Sequence, residues 1–134
     1  MTHTSGAAPL LTIANEHISI DIDPVHGAEI TRIARPDGAN ALAWYDWSTP
    51  APAEREHTSY GNDHLDWLSR YRGGWQELFP NEGMGGTYHD VPMAFHGDVS
   101  MTRWTVEHQA ADSCVLSVPS RLPLVLTREM RLAP

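Results

Sequence analysis

Acid, base and hydrogen-bonding side chains are concentrated in one glycine-rich stretch of the chain, residues 73–97. A sugar ring presents hydroxyl groups around apolar C–H faces, so a site for it combines fixed polar groups with an aromatic side chain. Histidine can take or give a proton near neutral pH. The stretch supplies this combination with Trp75, Gln76, Glu77, Asn81, His89 and His96.

Metal and nucleotide chemistry are less well supported by the residue spacing. His57 and His64, like His89 and His96, are seven residues apart, which fits neither the i, i+4 spacing of zinc ligands on a helix nor the i, i+2 spacing of ligands on a strand. Residues 83–86 (GMGG) lack the lysine of a phosphate-binding loop. We therefore predict no metal site, and a metal-dependent β-barrel enzyme of the cupin kind remains only a third hypothesis.

Composition narrows the choice of partners. The 134 residues carry a formal charge of -8, and all nine basic residues are arginine, which disfavours nucleic acid and anionic membranes as partners. The apolar runs fall short of the roughly 20 residues that a membrane span needs. Residues 1–6 contain no lysine or arginine, unlike the start of a secretory signal, so the expected location is cytoplasmic.

Strand patterns surround the glycine-rich stretch and must position it. Residues 10–23 alternate, with Ile18, Ile20 and Ile22 on one face, and a break in alternation between Ile30 and Ile33 predicts a β-bulge. A further strand is expected at 41–47. After residue 97 the pattern predicts three more strands, at 99–108, 113–118 and 123–132.

A single helix is predicted, within a loop or insertion at 48–72. Asn62 or Asp63 could cap it, and Leu65 and Leu68 would then face the body of the protein. The other predicted elements are strands, so the fold class is all-β, an antiparallel β-sandwich or barrel forming one domain over residues 1–134. Side chains expected in its core are Trp44, Trp75, Trp104 and Cys114.

The final predicted strand ends at Pro134 without a closing element. A sheet left open at such a strand exposes unpaired backbone groups. Either another chain covers that edge, with self-association as one outcome, or the sequence is part of a longer sandwich.

Three segments together resemble the aldose epimerase (galactose mutarotase-like) family. They are 23–33 (DPVHGAEITRI), 73–83 (GGWQELFPNEG) and 95–98 (FHGD), the last followed by Trp104. Their order and spacing are similar to that family's first hairpin, its Pro-Asn segment and its His-Gly step before a strand with a tryptophan. The resemblance covers about residues 11–132 and implies an incomplete galactose mutarotase-like supersandwich, the N-terminal part of such a domain.

The resemblance also implies a chemistry, the acid/base interconversion of the α and β anomers of an aldohexose, with no metal or organic cofactor. His96 matches the family histidine that positions and polarises the sugar. Expected substrate-binding residues are Asn81, Trp75 and Glu77, with Arg72 or Arg70 in place of an arginine that follows the Pro-Asn pair in many members. This chain has Glu82 there.

The family's second histidine and its glutamate base have no counterpart in these residues, so the chain alone is expected to be inactive. The alternative is a non-catalytic carbohydrate-binding β-sandwich that uses the same aromatic wall without proton transfer.

Overall fold

Alternating isoleucines form the first sheet, which has the strand order β1-β2-β3: β1 (Leu11–Ala14), β2 (Ser19–Asp23) and β3 (Glu29–Ala34), all antiparallel. The structure, a computed structural model, describes residues 9–45 and 59–134. The continuous pattern over 10–23 contains a turn between two strands. Asn15 makes this turn, because its Oδ1 accepts the N–H groups of His17 and Ile18, each at 2.9 Å.

The predicted bulge in β3 is confirmed. Asp21 pairs with Arg32 while the next residue, Ile22, pairs with Ile30, which leaves Thr31 as the extra residue. The strand predicted at 41–47 is wrong over 41–45, where the one ladder contact is an isolated bridge from Trp44. Residues 46 and 47 lie outside the described part.

The Asn40 side chain bonds the backbone at the place where that strand was predicted. Oδ1 of Asn40 accepts the N–H of Ile33 at 3.1 Å and of Leu42 at 3.0 Å, and its amide donates to the Thr31 carbonyl at 2.8 Å. Such side-chain bonds compete with a backbone ladder.

The second large sheet has the strand order β6-β7-β8, and a small hairpin of β4 (Gly86–Tyr88) and β5 (Val91–Met93) precedes it. Its strands are β6 (Thr105–Gln109), β7 (Ser113–Pro119) and β8 (Val125–Arg131). Three strands were predicted here and three are found. The first of these strands begins later than predicted, because Val99–Met101 forms a 3₁₀ turn. The Trp104 indole N–H donates to the Val99 carbonyl of this turn at 2.9 Å.

The predicted helix exists as α1 (Asp63–Arg70), and Asn62 caps it by accepting the Leu65 N–H at 3.1 Å. The predicted inward face is wrong, since Leu65 and Leu68 are 51% and 44% exposed. Trp67 lies about 200° around the helix from Leu65, and it stacks on Tyr71 with ring centroids 5.1 Å apart. Its ring also meets the Phe95 ring edge-on with centroids 5.8 Å apart, so Trp67 docks this helix.

One apolar core joins residues of both large sheets, so the all-β antiparallel sandwich is confirmed. The β1 end is tied to the second sheet where the Ala14 N–H donates to the Ala111 carbonyl at 2.7 Å. Cys114 is buried as predicted, and burial raises the pKa of its thiol. The core residues with the least exposure are Ile13, Ile22, Ala28, Val99, Cys114, Leu116 and Val118.

Within the described residues, β6 and β8 are the outer strands of their sheet. Self-association through such an edge stays a prediction, as do the single-domain boundaries. No helix in ranges 9–45 and 59–134 combines the length and apolar character required to cross a bilayer.

Candidate functional site

His96 is held in a left-handed backbone conformation with φ of 59°, directly before Gly97 with φ of 74°. A Cβ atom on Gly97 would lie 2.1 Å from the Phe79 carbonyl oxygen, so only glycine fits there. For a residue with a side chain, such a conformation costs about 1–3 kcal/mol and persists only where its surroundings hold it. The half-buried imidazole is therefore fixed by its neighbours.

Gly83 fixes the imidazole by a reciprocal pair of hydrogen bonds. Its N–H donates to Nδ1 of His96 at 3.0 Å, and its carbonyl accepts the His96 N–H at 2.9 Å. A ring nitrogen that accepts a hydrogen bond carries no proton, so the neutral ring holds its proton on Nε2. Burial lowers the pKa of His96, the charge of His64 adds to the decrease, and Glu82 opposes it. At neutral pH His96 is thus a neutral donor at Nε2.

Aromatic rings from α1 and from residue 95 surround His96. The Trp67 ring meets it edge-on with centroids 4.6 Å apart, and the Phe95 ring lies 3.8 Å away. His64 stacks on Phe95 at 3.9 Å. These contacts give one side of the imidazole an apolar wall.

Asn81 braces the loop that carries His96. Its amide donates to the Ala94 carbonyl at 3.0 Å and, more weakly, to the Met84 carbonyl at 3.5 Å. Within the described part of the chain, its Oδ1 is buried and has no hydrogen-bond partner. Such unpaired buried acceptors are uncommon, and burial keeps this oxygen from a ligand in the present conformation. Asn81 is thus a predicted site residue that bonds the loop of His96 directly.

Arg72 lies in a buried ionic group instead. Its Nη2 bonds Oε1 of Glu29 and lies 3.4 Å from Oδ2 of Asp23, and its guanidinium carbon is 4.9 Å from the centre of the Trp44 ring. Its side chain is 11% exposed. The cation is therefore neutralised by carboxylates of the first sheet.

Glu77 is likewise paired, with Arg128 of β8. Nη1 of Arg128 lies 3.5 Å from Oε2 of Glu77, Nη2 donates to the Ala28 carbonyl at 2.6 Å, and the guanidinium covers the Trp104 ring at 5.1 Å. Burial lowers the pKa of Arg128, and Glu77 opposes this. The recorded contacts of Glu77 thus connect the 73–97 stretch to the second sheet.

Trp75 is fixed by its backbone and exposed at its ring. Its N–H and carbonyl each bond Ile30 at 2.9 Å, while the side chain is 60% exposed and Trp44 is 40% exposed. The predicted core position is therefore wrong for Trp75 and Trp44. It is confirmed for Trp104, which is 3% exposed. Trp75 lines an open, largely apolar cavity of about 400 Å³ with Leu42. This exposed ring is the kind of plate that a sugar face can cover.

A second cavity, of about 360 Å³ and with a lining of mixed polarity, borders Trp67 and was not predicted from the sequence. Its lining includes His26, whose Nδ1 lies 2.7 Å from Oδ2 of Asp23, and Glu29, whose Oε2 accepts the Gln76 amide at 2.8 Å. Burial raises the pKa of Asp23, but the bond and charge of His26, together with Val25 and Arg72, lower it overall. The three-residue spacing of Asp23 and His26 was the available signal.

His96 is not among the residues that line these two cavities, but Trp67 lines both and contacts His96. Within ranges 9–45 and 59–134, no group of three or more histidine, cysteine or acidic side chains is arranged to hold a metal ion.

No protein-family model and no curated protein sequence matches the chain. Solved structures do. The Slr1438 protein of Synechocystis sp. PCC 6803 superposes with a TM-score of 0.63 at 16% identity, covering 99% of this chain and 48% of that one. A galactose mutarotase related enzyme from Lactobacillus acidophilus gives a TM-score of 0.53 at 21% identity, covering 82% of this chain and 32% of that one.

The chain has the galactose mutarotase-like fold. A GalM/aldose epimerase homologue from C. elegans agrees, with a TM-score of 0.50 at 16% identity over 84% of this chain and 36% of that one. The resemblance drawn from the three sequence segments is thus confirmed at the level of fold. The chain spans about a third to a half of the length of these solved structures.

Proposed function

We propose that the chain is the part of an aldose 1-epimerase-like protein that binds an aldohexose and polarises it through His96. The supporting observation is the Gly83 N–H that donates to Nδ1 of a half-buried imidazole, an arrangement that favours the proton on Nε2. The galactose mutarotase-like fold supports the general kind of function.

Ring opening transfers two protons. A base removes the proton from the C1 hydroxyl, the C1 carbonyl forms, the bond from C1 to the ring oxygen breaks, and an acid protonates that oxygen. A neutral His96 with its proton on Nε2 contributes a hydrogen bond to a sugar oxygen and so withdraws electron density from the ring. Trp75 offers an exposed apolar plate, and Asn81 supports the loop of His96 through its bond to the Ala94 carbonyl.

Sugar binding is tested by titrating the chain with D-galactose and D-glucose while following the His96 ring resonances by NMR. Saturable shifts of His96 are expected, together with loss of binding in His96→Ala. His108→Ala, an exposed position of β6, is the matched control and should bind as the wild type does. Unchanged His96 resonances at sugar concentrations up to about 100 mM, far above a typical substrate KM, would contradict the proposal.

Polarimetry on a fresh solution of one pure anomer separates catalysis from binding. We expect this chain alone to leave the mutarotation rate at the buffer value, because only one proton-transfer group is proposed in it. A rate above buffer that survives His96→Ala would remove His96 from the mechanism.

A further inference from the structure

Helix α1 contacts the loop that carries His96 at two points. The first is polar and comes from the start of the helix, at Asp63. The second is aromatic and comes from His64 and Trp67, whose rings lie against Phe95 and His96 respectively. The helix is therefore placed to determine how the imidazole is presented.

The polar contact acts on the backbone beside His96. Oδ2 of Asp63 accepts the Phe95 N–H at 2.7 Å, and Oδ1 accepts the N–H of His64 at 2.9 Å. The two carboxylate oxygens thus join the first residues of the helix to the Ala94–Phe95 peptide, one residue before the left-handed His96. A short bond to an ionised acceptor is among the stronger hydrogen bonds in proteins.

The same carboxylate also lies close to Gly85, in the segment 83–85 that bonds the His96 loop. A Cβ atom added to Gly85 would be 3.0 Å from Oδ2 of Asp63. Residues 83–85 and 94–96 therefore meet at Asp63 on one side and at the Gly83–His96 hydrogen bonds on the other. A shift of Phe95 would move His96 relative to the Gly83 N–H that fixes its tautomer.

The aromatic contact is anchored independently. The Trp67 indole N–H donates to Oγ of Ser100 at 3.2 Å, which holds the indole while its ring contacts His96. Trp67 therefore limits tilting of the imidazole, and Asp63 limits movement of the backbone. The two contacts therefore restrict different motions of His96.

We propose that Asp63 is a positioning residue for His96: by holding the Phe95 amide, it keeps Nδ1 of His96 against the Gly83 N–H and so keeps the proton on Nε2. Its consequence for sugar binding rests on the proposed function above. The positioning itself is a property of the chain without ligand and can be measured there.

The test is the tautomer of His96, read from ring ¹⁵N chemical shifts in the uniformly labelled chain. In the wild type we expect the Nε2–H form to predominate. In Asp63→Ala we expect the two neutral tautomers to approach the balance of a free histidine side chain, so that a measurable fraction of the rings carries the proton on Nδ1. Asp63→Asn retains an acceptor oxygen and should largely restore the wild-type tautomer.

Asp66→Ala is the matched control. Asp66 lies in the same first turn of α1, carries the same charge and bonds residues 59 and 60, at Oγ of Ser59 and the Tyr60 N–H. Its removal changes the helix charge equally but should leave the His96 tautomer unchanged. A tautomer that is the same in Asp63→Ala as in the wild type, in chains shown by circular dichroism to be folded, overturns the proposal. So does a wild-type ring protonated on Nδ1.

A second measurement separates the two proposals. If His96 positions a sugar, Asp63→Ala should bind galactose roughly three- to tenfold more weakly, the effect of one modest hydrogen bond. A shifted tautomer in a chain whose wild type binds no sugar contradicts the proposed function and supports the positioning role. If the wild type binds sugar through His96 but Asp63→Ala keeps the wild-type tautomer, the proposed function is supported and the positioning role is contradicted.

Discussion

Gly83 and His96 hold each other through two hydrogen bonds, one from each backbone N–H, at 3.0 Å to the imidazole Nδ1 and at 2.9 Å to the Gly83 carbonyl. This pairing joins two loops that are 13 residues apart in the chain. It makes the imidazole a defined donor before any ligand arrives, and preorganised donors need no rearrangement when charge develops on a substrate.

The conformation around His96 depends on Gly97. Gly97→Ala should lower the free energy of unfolding by about 2–4 kcal/mol, because the new methyl group would strain a left-handed residue and meet the Phe79 carbonyl. Gly86→Ala is the control, since a Cβ there meets nothing within 4 Å, and it should change stability by less than about 1 kcal/mol. Urea denaturation of both variants measures the difference, and equal midpoints would contradict the close contact at Gly97.

Arg72 neutralises two buried carboxylates. Arg72→Met should therefore destabilise the fold by about 3–5 kcal/mol, because Asp23 and Glu29 would be left buried without their cation. The control is Arg131→Met, since that arginine and its partner Glu129 are 72% and 59% exposed, and exposed pairs contribute at most about 1 kcal/mol. Thermal melts followed by circular dichroism compare the two. Similar melting temperatures would show that the buried group is not held together by Arg72.

The lowered pKa of His96 makes stability depend on pH in a definite direction. The folded chain holds that pKa below the ordinary 6.5, so the unfolded chain binds a proton first as the pH falls. This proton binding favours unfolding, and His96 therefore contributes a loss of stability below about pH 6.5. In His96→Gln the fall in unfolding free energy between about pH 7.5 and about pH 5.5 should be smaller than in the wild type.

Urea titrations at the two pH values measure that difference. His108→Gln, on the exposed face of β6, serves as the control and should keep the wild-type pH dependence. A dependence that is identical in His96→Gln would mean that the folded state does not disfavour the charged imidazole.

Local patterns predicted those features that depend on neighbours in the sequence. The bulge at Thr31 followed from a break in alternation, and the cap of α1 followed from an asparagine before a helical segment. The strand of Cys114 followed from strict alternation with buried residues. In each case the determining contacts lie within a few residues or follow a fixed period.

The errors arose where distant groups decide. From the helix sequence alone, its leucines are the side chains expected to be buried. In the structure Trp67 makes the contacts, with Phe95, His96 and Ser100, and only the folded chain brings these residues next to it. The ion pair between Arg72 and Glu29 spans 43 residues. Spacing alone could not identify the carboxylate partners of Arg72, and its role in substrate binding stays a prediction.

Arg128 has a consequence for how the chain opens. Its guanidinium, on one of the last strands, bonds the Ala28 carbonyl 100 residues earlier and also covers Trp104. The first sheet cannot separate from the second without releasing this buried cation, so the two sheets should behave as one cooperative unit. Native-state hydrogen exchange should then show the amides of β3 and β7 opening together, with a common dependence on denaturant.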